Sequence, residues 1–423
     1  MDFCGFAGAA LVHFGDWTLA ELTIEAMGAR GEGVARGQDG SPVYIAYGLP
    51  GEHVEANVKG ERGQLVRVVA ASPQRVDAVC PHFGSCGGCQ LQHWDGAAYA
   101  DWKRQLVADA LSRRGLGEVE ITPLIDAHGA GRRRVTLSVV KGRAGFSAHR
   151  SHDHVTVNSC PVLVPELAVA PKIAEALVRT LKLRKPQRMH MLASDNGIDC
   201  ELTGVDDPEL EQRVAVADVA EKFDLARVTA SGDTLIERRR PMLKVGRADV
   251  TLPPGGFAQA TSAGEEALAG IVVSALVGHR VVADLFSGWG AFGLRLAETS
   301  RVLAVDSDRV AIAALEAAVR GAEGIKPIVA RAHDLMRDPL TAPEMKGITG
   351  VVFDPPRAGA AAQVIELVAA KGITTVVGVS CDAGTFARDA GVLVQGGFRL
   401  EKVVPVDQFR FTSHVEIVGV FSR

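Results

Sequence analysis

The sequence predicts an α/β chain in which a doubly wound parallel sheet, finished by an antiparallel hairpin, follows an OB-like β-barrel and an α+β middle. Three observations carry that reading. From residue 251 to 423, short β-rich apolar runs alternate with helix-period runs, which is how strands covered on both faces by crossover helices read. Residues 17–75 show five short alternating runs separated by glycine turns, the signature of a small barrel. Residues 76–250 mix the two periods. Residues 1–16 are read as a tail, because the apolar stretch Met1–Phe14 has no basic flank and is too short to span a membrane.

In the barrel, LAELTIEAM alternates, GARGEG breaks it, PVYIAY resumes, and GLPGE turns again before HVEANVKG and QLVRVVA. The middle opens with three cysteines, then predicts a helix over 99–114, strands in RRRVTLSVVKGRAGFSAH and a helix over 165–182. The last part reads HRVVADLF as strand, AFGLRLAET as helix, RVLAVD as strand and DRVAIAALEAAVRGA as helix. GVVFD and TTVVGVSC follow as strands around a helix over 361–371, and FRLEKVVPVDQF with HVEIVGVF forms the closing hairpin.

With 47% hydrophobic and 23% charged residues, the composition is that of an ordinary globular protein. No membrane partner is expected, and the chain is expected in the cytoplasm as a monomer. The net charge of −4 argues against a general nucleic-acid binder, yet its distribution is uneven: residues 101–190 hold sixteen Lys and Arg against eight Asp and Glu. A basic middle between acidic ends suggests a local phosphate-binding surface. Arg132, Arg133 and Arg134 are its best candidates, with Lys141 and Arg150 next. A second run, Arg238 to Arg240, reads equally well as a solvated loop.

Gly288, Gly290 and Gly293 fit GxGxxG where the first strand of the sheet turns into a helix. Glycines there permit a tight turn and close ligand approach, but dinucleotide sites share them. Asp284 lies on the strand before the loop, Asp306 ends the next strand, and Asp334 follows in ARAHDL. These acids suit the amino group, ribose diol and adenine amine of S-adenosylmethionine better than they suit NAD. A nicotinamide-dependent iron–sulfur oxidoreductase remains the remoter alternative, and a non-catalytic RNA-binding protein a third.

Strand ends then supply Asp354 in DPPR, Cys381 in VSCD and Glu416 in HVE. In an open parallel sheet, ligands bind beyond the carboxyl ends of the strands. A thiol and a carboxylate beside a methyl donor suggest one chemistry. Addition of a thiolate to C6 of uracil makes C5 nucleophilic, and a base then removes the C5 proton. Such a site is expected to lower the Cys381 pKa, with Arg357 as the nearby cation. The target base must be unstacked to be reached, so the RNA partner is expected to offer a flipped or single-stranded uridine.

Together GFAQAT, DLFSGWGAFGL, DPPRAG, VSCDAGTFARD and DQFRFTSHVE resemble, in order, the class I RNA uracil-5 methyltransferases. The resemblance implies a Rossmann-like methyltransferase domain. It implies that Gln259, the glycine loop around Gly288 with Phe286 and Gly290, Asp306 and Asp354 bind the cofactor, that Cys381 is nucleophile, and that Glu416 is base. Residues 17–75 resemble a TRAM barrel. Ser287, SCDAG and FRFTSHVE depart from the family's common pattern of cysteine, SC-N-P and Pro-His. Ribosomal 23S RNA is the implied substrate, with tRNA as alternative.

Cys80, Cys86 and Cys89 form C-x5-C-x2-C. A four-thiolate site needs one more. Cys160 is the natural candidate, with Cys4 and Cys200 as competitors. No second CxxC pair supports a zinc ribbon, though zinc stays open. The spacing and the run CGGCQLQH resemble the [4Fe-4S] site of one branch of the same family. That resemblance implies a fully ligated, structural cluster.

Overall fold

The computed structural model describes residues 17–205 and 208–423, so the expected tail and the competing thiol Cys4 lie outside the described residues. The chain divides into two compact units, one running to residue 78 with 90–98 added, the other comprising 79–89 and 99–423.

In the first unit, β1 (Thr18–Met27), β2 (Glu32–Arg36), β3 (Pro42–Ala46), β4 (His53–Lys59) and β5 (Arg62–Ala70) close a barrel in the order β1-β2-β3-β5-β4. Closure comes from β1, which pairs with β2 on one side and with β4 on the other, Thr18 opposite Val58. Alternate residues, among them Leu22, Ile24, Val43, Ile45 and Val54, fill the interior, as period-two patterning requires. Gly48 is needed because a Cβ there would stand 2.1 Å from Ile24 Cδ1. The expected five-stranded barrel is therefore observed.

The second unit contains two large sheets. After α1 (Gly96–Ser112) and β6 (Ile125–Asp126) come β7 (Arg134–Val140), β8 (Arg143–Ser147), β9 (His154–Thr156), α2 (Ala170–Thr180), β10 (Gln187–Ser194), β11 (Gly197–Thr203), α3 (Leu210–Lys222), β12 (Leu225–Ala230) and β13 (Asp233–Glu237). Seven of these strands form a sheet ordered β13-β12-β11-β10-β7-β8-β9. The apolar stripe Ile173, Ala174 and Leu177 of α2 packs in one core with Leu137, Met189 and Leu202 from the strands. The ribbon β14 (Met242–Val245) and β15 (Ala248–Thr251) leads into α4 (Ser262–Leu276).

The final sheet uses β16 (Val281–Leu285), α5 (Gly293–Leu296), β17 (Arg301–Asp306), α6 (Arg309–Gly321), β18 (Ile328–Ala332), β19 (Gly350–Phe353), α7 (Ala361–Ala369), β20 (Thr375–Ser380), α8 (Ala383–Gln395), β21 (Arg399–Asp407) and β22 (Glu416–Ser422). Its order is β18-β17-β16-β19-β20-β22-β21-β6, with β22 antiparallel to both neighbours. Strand order reverses beside β16, which makes the crevice at the carboxyl ends of β16 and β19 the place for a ligand. The expected doubly wound sheet and closing hairpin are observed. The helix expected over AFGLRLAET is one turn long, Gly293–Leu296, because the chain breaks at Thr299 and Ser300 to enter β17. Among the described residues no helix is long and apolar enough to cross a membrane.

Helix α1 is tied to the far end of the sequence. Lys103 is fully buried and its Nζ lies 2.6 Å from Asp407 Oδ1 and 2.6 Å from the His414 carbonyl. Tyr99 Oη donates to Asp407 Oδ2 at 2.8 Å. Burial pulls the Lys103 ammonium down to about 8 against the attraction of Asp407. Lys103→Met leaves Asp407 buried without its cation, so it is expected to destabilise the chain by about 3–5 kcal/mol in urea denaturation. A loss below about 1 kcal/mol would show the pair to be dispensable.

Candidate active site

The glycine loop is held open by backbone geometry and by two acids. Phe286 leaves β16 at φ 61°, with Gly288 at 52° and Gly290 at 93°, conformations that favour glycine and strain Phe286. At Gly290 a Cβ would stand 2.5 Å from Leu315 Cδ1, whereas the space above Gly288 is empty. Asp306 Oδ2 accepts the Gly288 N–H at 2.8 Å and its Oδ1 accepts that of Asp308 at 2.8 Å. Asp308 then caps α6 through Val310 and Ala311. Buried Asp284 accepts the Gly293 N–H at 2.7 Å through Oδ2, but its Oδ1 and the hydroxyl of Ser287 have no partner among the described residues. Orphaned buried polar atoms are rare unless a ligand completes them. Asp334, past the end of β18, is half-buried and accepts the Met336 N–H at 3.0 Å, which makes it a turn cap as well as a candidate ligand.

Burial raises Asp284 to about 7, against the Gly293 hydrogen bond and with help from Asp306. The sign for stability follows. The folded carboxyl holds its proton up to about pH 7, while the unfolded one loses it above 3.8. Folding is therefore penalised increasingly from about pH 4 to pH 7, by a few kcal/mol at the upper end. Asp284→Asn keeps an oxygen for Gly293 and removes the charge. It is expected to melt several degrees higher than the parent at pH 8, with the gap closing toward pH 4, and to lose S-adenosylhomocysteine binding in calorimetry. Equal melting temperatures at pH 8 would refute the burial argument.

The reactive groups meet at the same rim. Ser380 of β20 pairs with Ile417 of β22, so Cys381 and Glu416 leave adjacent strands side by side. Asp382 caps α8 by accepting the Thr385 N–H at 2.9 Å, which ends the strand at Cys381. Asp354 follows β19, its N–H donating to the Leu285 carbonyl at 3.3 Å. Burial, then Glu416, then Asp354 push the Cys381 thiol up, while Arg357 hydrogen-bonds the sulfur and pulls it down. The expectation that this site lowers the thiol pKa is thus overturned, because burial first, and the two neighbouring acids after it, outweigh the one guanidinium. Glu416 is nearly fully buried and raised to about 7, chiefly by desolvation, against Gln408, Arg134 and Arg357. Asp354 is pushed well above its usual range by desolvation, Glu416 and Asp284. Catalytic acids and bases cluster where such shifts occur.

The basic run needs a correction. Arg133 is buried, paired with Glu265, and donates to the Gln259 carbonyl at 3.1 Å. It braces the loop at Gln259 and is not available to phosphate. Arg132 turns inward to the Arg410 carbonyl at 3.3 Å. Arg134 stacks on exposed Phe257, 4.2 Å from the ring centre, and acts on Glu416. Exposed Lys141 lies on a turn between β7 and β8, and Arg150 on the turn after β8. Arg238 and Arg239 pair with Asp224. Sequence reasoning missed Gln408, a buried amide hydrogen-bonded to both Gln259 and Glu416. It lies in the run DQFRFTSHVE, eight residues before Glu416, where nothing local marks it as a partner of Gln259.

Cys80, Cys86, Cys89 and Cys160 have part-exposed side chains. The Cys160 thiol, raised to about 11 mainly by burial, feels Cys89, Cys80 and Cys86, so the four lie within electrostatic range. The Gly88 N–H donates to Cys86 Sγ at 3.4 Å and the Val162 N–H donates to the Cys160 sulfur. Cys200 is fully buried in the core of the seven-stranded sheet. Among the described residues no three His, Cys, Asp or Glu side chains close on one point as a metal ion requires.

Comparison with known proteins agrees with this geometry. The family model described as tRNA (Uracil-5-)-methyltransferase matches residues 257–423. A chain of Caulobacter vibrioides named as an RNA methyltransferase is 44% identical over 417 residues, spanning 96% of this chain and 100% of its own length. The 23S rRNA (uracil(1939)-C(5))-methyltransferase of Halomonas elongata is 32% identical over 441 residues, spanning 94% of this chain and 88% of its own. The Pyrococcus abyssi tRNA (uracil-54, C5)-methyltransferase, solved with S-adenosyl-L-homocysteine, shares the fold with a TM-score of 0.74 at 24% identity. That match covers 95% of this chain and 99% of that one.

Proposed function

The chain belongs to the RNA uracil-5 methyltransferase family, and on that premise we propose that it methylates a uridine of 23S rRNA with Cys381 as covalent nucleophile and Glu416 as base. One observation carries the reading: Cys381, Glu416 and Asp354 act on one another at the carboxyl ends of β19 and β20, beside the strand that opens into the glycine loop. The cofactor would be S-adenosylmethionine, which supplies a methyl group on a cationic sulfur. The unpartnered Asp284 Oδ1 and Ser287 hydroxyl and the open space over Gly288 fit such a ligand. Gln259, Phe286, Gly290, Asp306 and Asp354 would complete its site, with Asp334 at the adenine.

In the reaction, the Arg357 guanidinium favours the Cys381 thiolate by its charge. The sulfur bonds to uracil C6, and the electron pair released toward the C4 carbonyl makes C5 nucleophilic. C5 takes the methyl group. The Glu416 carboxylate then removes the C5 proton, and the returning electrons expel Cys381 sulfur from C6. Desolvation sets Glu416 near neutrality, where a base is most effective at cellular pH.

The rRNA assignment rests on the Halomonas relative, whose likeness runs along nearly the whole chain. The fold shared with the Pyrococcus tRNA enzyme favours tRNA as the second reading. Incubating the protein with labelled S-adenosylmethionine and either 23S rRNA or tRNA, then counting 5-methyluridine, decides between them; label in neither RNA ends the proposal. The barrel at 17–75 serves as a TRAM-type RNA clamp in this reading, and the enzyme acts as a cytoplasmic monomer. The four cysteines would hold a structural [4Fe-4S] cluster. The C-x5-C-x2-C spacing without a second CxxC pair favours a cluster over a zinc ribbon. Anaerobically purified protein is expected to be brown, absorbing at about 400 nm, and Cys86→Ser to be colourless. Stoichiometric zinc in a colourless parent protein would replace the cluster.

A further inference from the structure

Gln408 is fully buried just beyond β21, and its hydrogen bonds leave it one orientation. The Ala260 N–H can only donate, so the amide oxygen faces it, at 2.8 Å. The NH2 group then faces Gln259 Oε1 at 2.7 Å and Glu416 Oε1 at 3.0 Å, and both of its protons are used. The backbone around Gln259 is equally fixed. Arg133 donates from Nε to the Gln259 carbonyl at 3.1 Å and from its N–H to the Ala260 carbonyl at 2.9 Å. Only the Gln259 side chain is left to turn. Its oxygen accepts a hydrogen bond from the Gln408 NH2, so its own NH2 points elsewhere.

We propose that Gln408 is a positioning residue that couples occupancy of the cofactor site at Gln259 to the ionised state of Glu416. The inference rests on the reading of Gln259 as a cofactor contact and Glu416 as the base. A ligand that accepts from the Gln259 NH2 prevents that amide from flipping. A flipped Gln259 would set NH2 against NH2, and only a displaced Gln408 would relieve the clash. Displacement would strip Glu416 of the one neutral donor it has. The charged groups facing Glu416 do not depend on Gln259 in this way. Arg134 from β7 and Arg357 after β19 favour the carboxylate, while Asp354 and Cys381 oppose it. Gln408 is therefore the adjustable member. The base becomes competent when the methyl donor is seated.

The test uses the full chain and S-adenosylhomocysteine. Calorimetry near pH 7 in two buffers of different ionisation enthalpy counts the protons released on binding. The parent protein is expected to release more proton than Gln408→Met or Glu416→Gln, and those two variants to release equal amounts, the share left to Asp284. In single turnover on RNA, Gln408→Met is expected to slow resolution of the covalent adduct about tenfold, with the pH midpoint of that step moved upward. Adduct formation should stay within about twofold of the parent. Undiminished proton release in Gln408→Met overturns the coupling, as does a parallel fall of formation and resolution, which is what a merely structural role predicts. Proton release in Glu416→Gln equal to that of the parent assigns all of it to Asp284 or Asp354 and also overturns the coupling. Failure of Glu416 as base is read separately, from whether Glu416→Gln traps an adduct at all.

Discussion

Cys381→Ala is expected to reduce 5-methyluridine formation by at least about four orders of magnitude and to abolish any protein–RNA adduct that survives denaturation. The size follows from the chemistry. Uracil C5 is not nucleophilic until a thiolate has added at C6, and no other described thiol stands beside Asp354 and Glu416. The side chain is half-buried at the end of β20, so alanine removes little packing and the variant should melt with the parent. Because burial and two carboxylates push the thiol up, the thiolate is scarce at neutral pH. The single-turnover rate of the parent should therefore rise with pH, by up to about tenfold per unit, until the thiol is ionised. Nucleoside mass spectrometry of treated RNA checks the first statement and its pH series the second. Methylation by Cys381→Ala within tenfold of the parent would falsify covalent catalysis.

Glu416→Gln is expected to do the opposite to the adduct. Glutamine has the same shape and can still accept from Gln408, but cannot take the C5 proton. Methyl transfer should proceed once, and the methylated base should remain bonded to Cys381. Denaturing gels should show one shifted protein–RNA band, with turnover lowered by about 10²–10⁴-fold. The substitution should not unfold the chain. A carboxyl raised to about 7 is bound as the acid in the folded state over a range where the unfolded chain ionises, so removing it relieves a penalty above neutrality. Rapid turnover without a trapped band would move the base elsewhere, with Asp354 the nearest carboxyl.

Much of this site was legible in the sequence because its parts are punctuation. Gly288 and Gly290 sit where the chain needs positive φ, Asp306 ends a strand, and Asp354 follows one. Each is a local rule, set by a few neighbouring residues. The basic run was misread for the same reason. Arg132, Arg133 and Arg134 look alike in a row, yet the direction of each side chain was settled by residues far along the chain. Arg133 met Glu265, 132 positions away, and Arg134 met Phe257 and Glu416.

By itself the sequence determined the barrel, the doubly wound sheet and the rim that carries the acids and Cys381. Those depend on periodicity and turn chemistry, which act over a few residues. Only the tertiary structure decided that Lys103 meets Asp407 across 304 positions, that β6 joins the last sheet, that Gln408 bridges Gln259 and Glu416, and that the Cys381 thiol is raised. The physical reason is range. A hydrogen bond or a desolvation penalty depends on what surrounds an atom in space, and for these groups the surroundings come from distant parts of the chain.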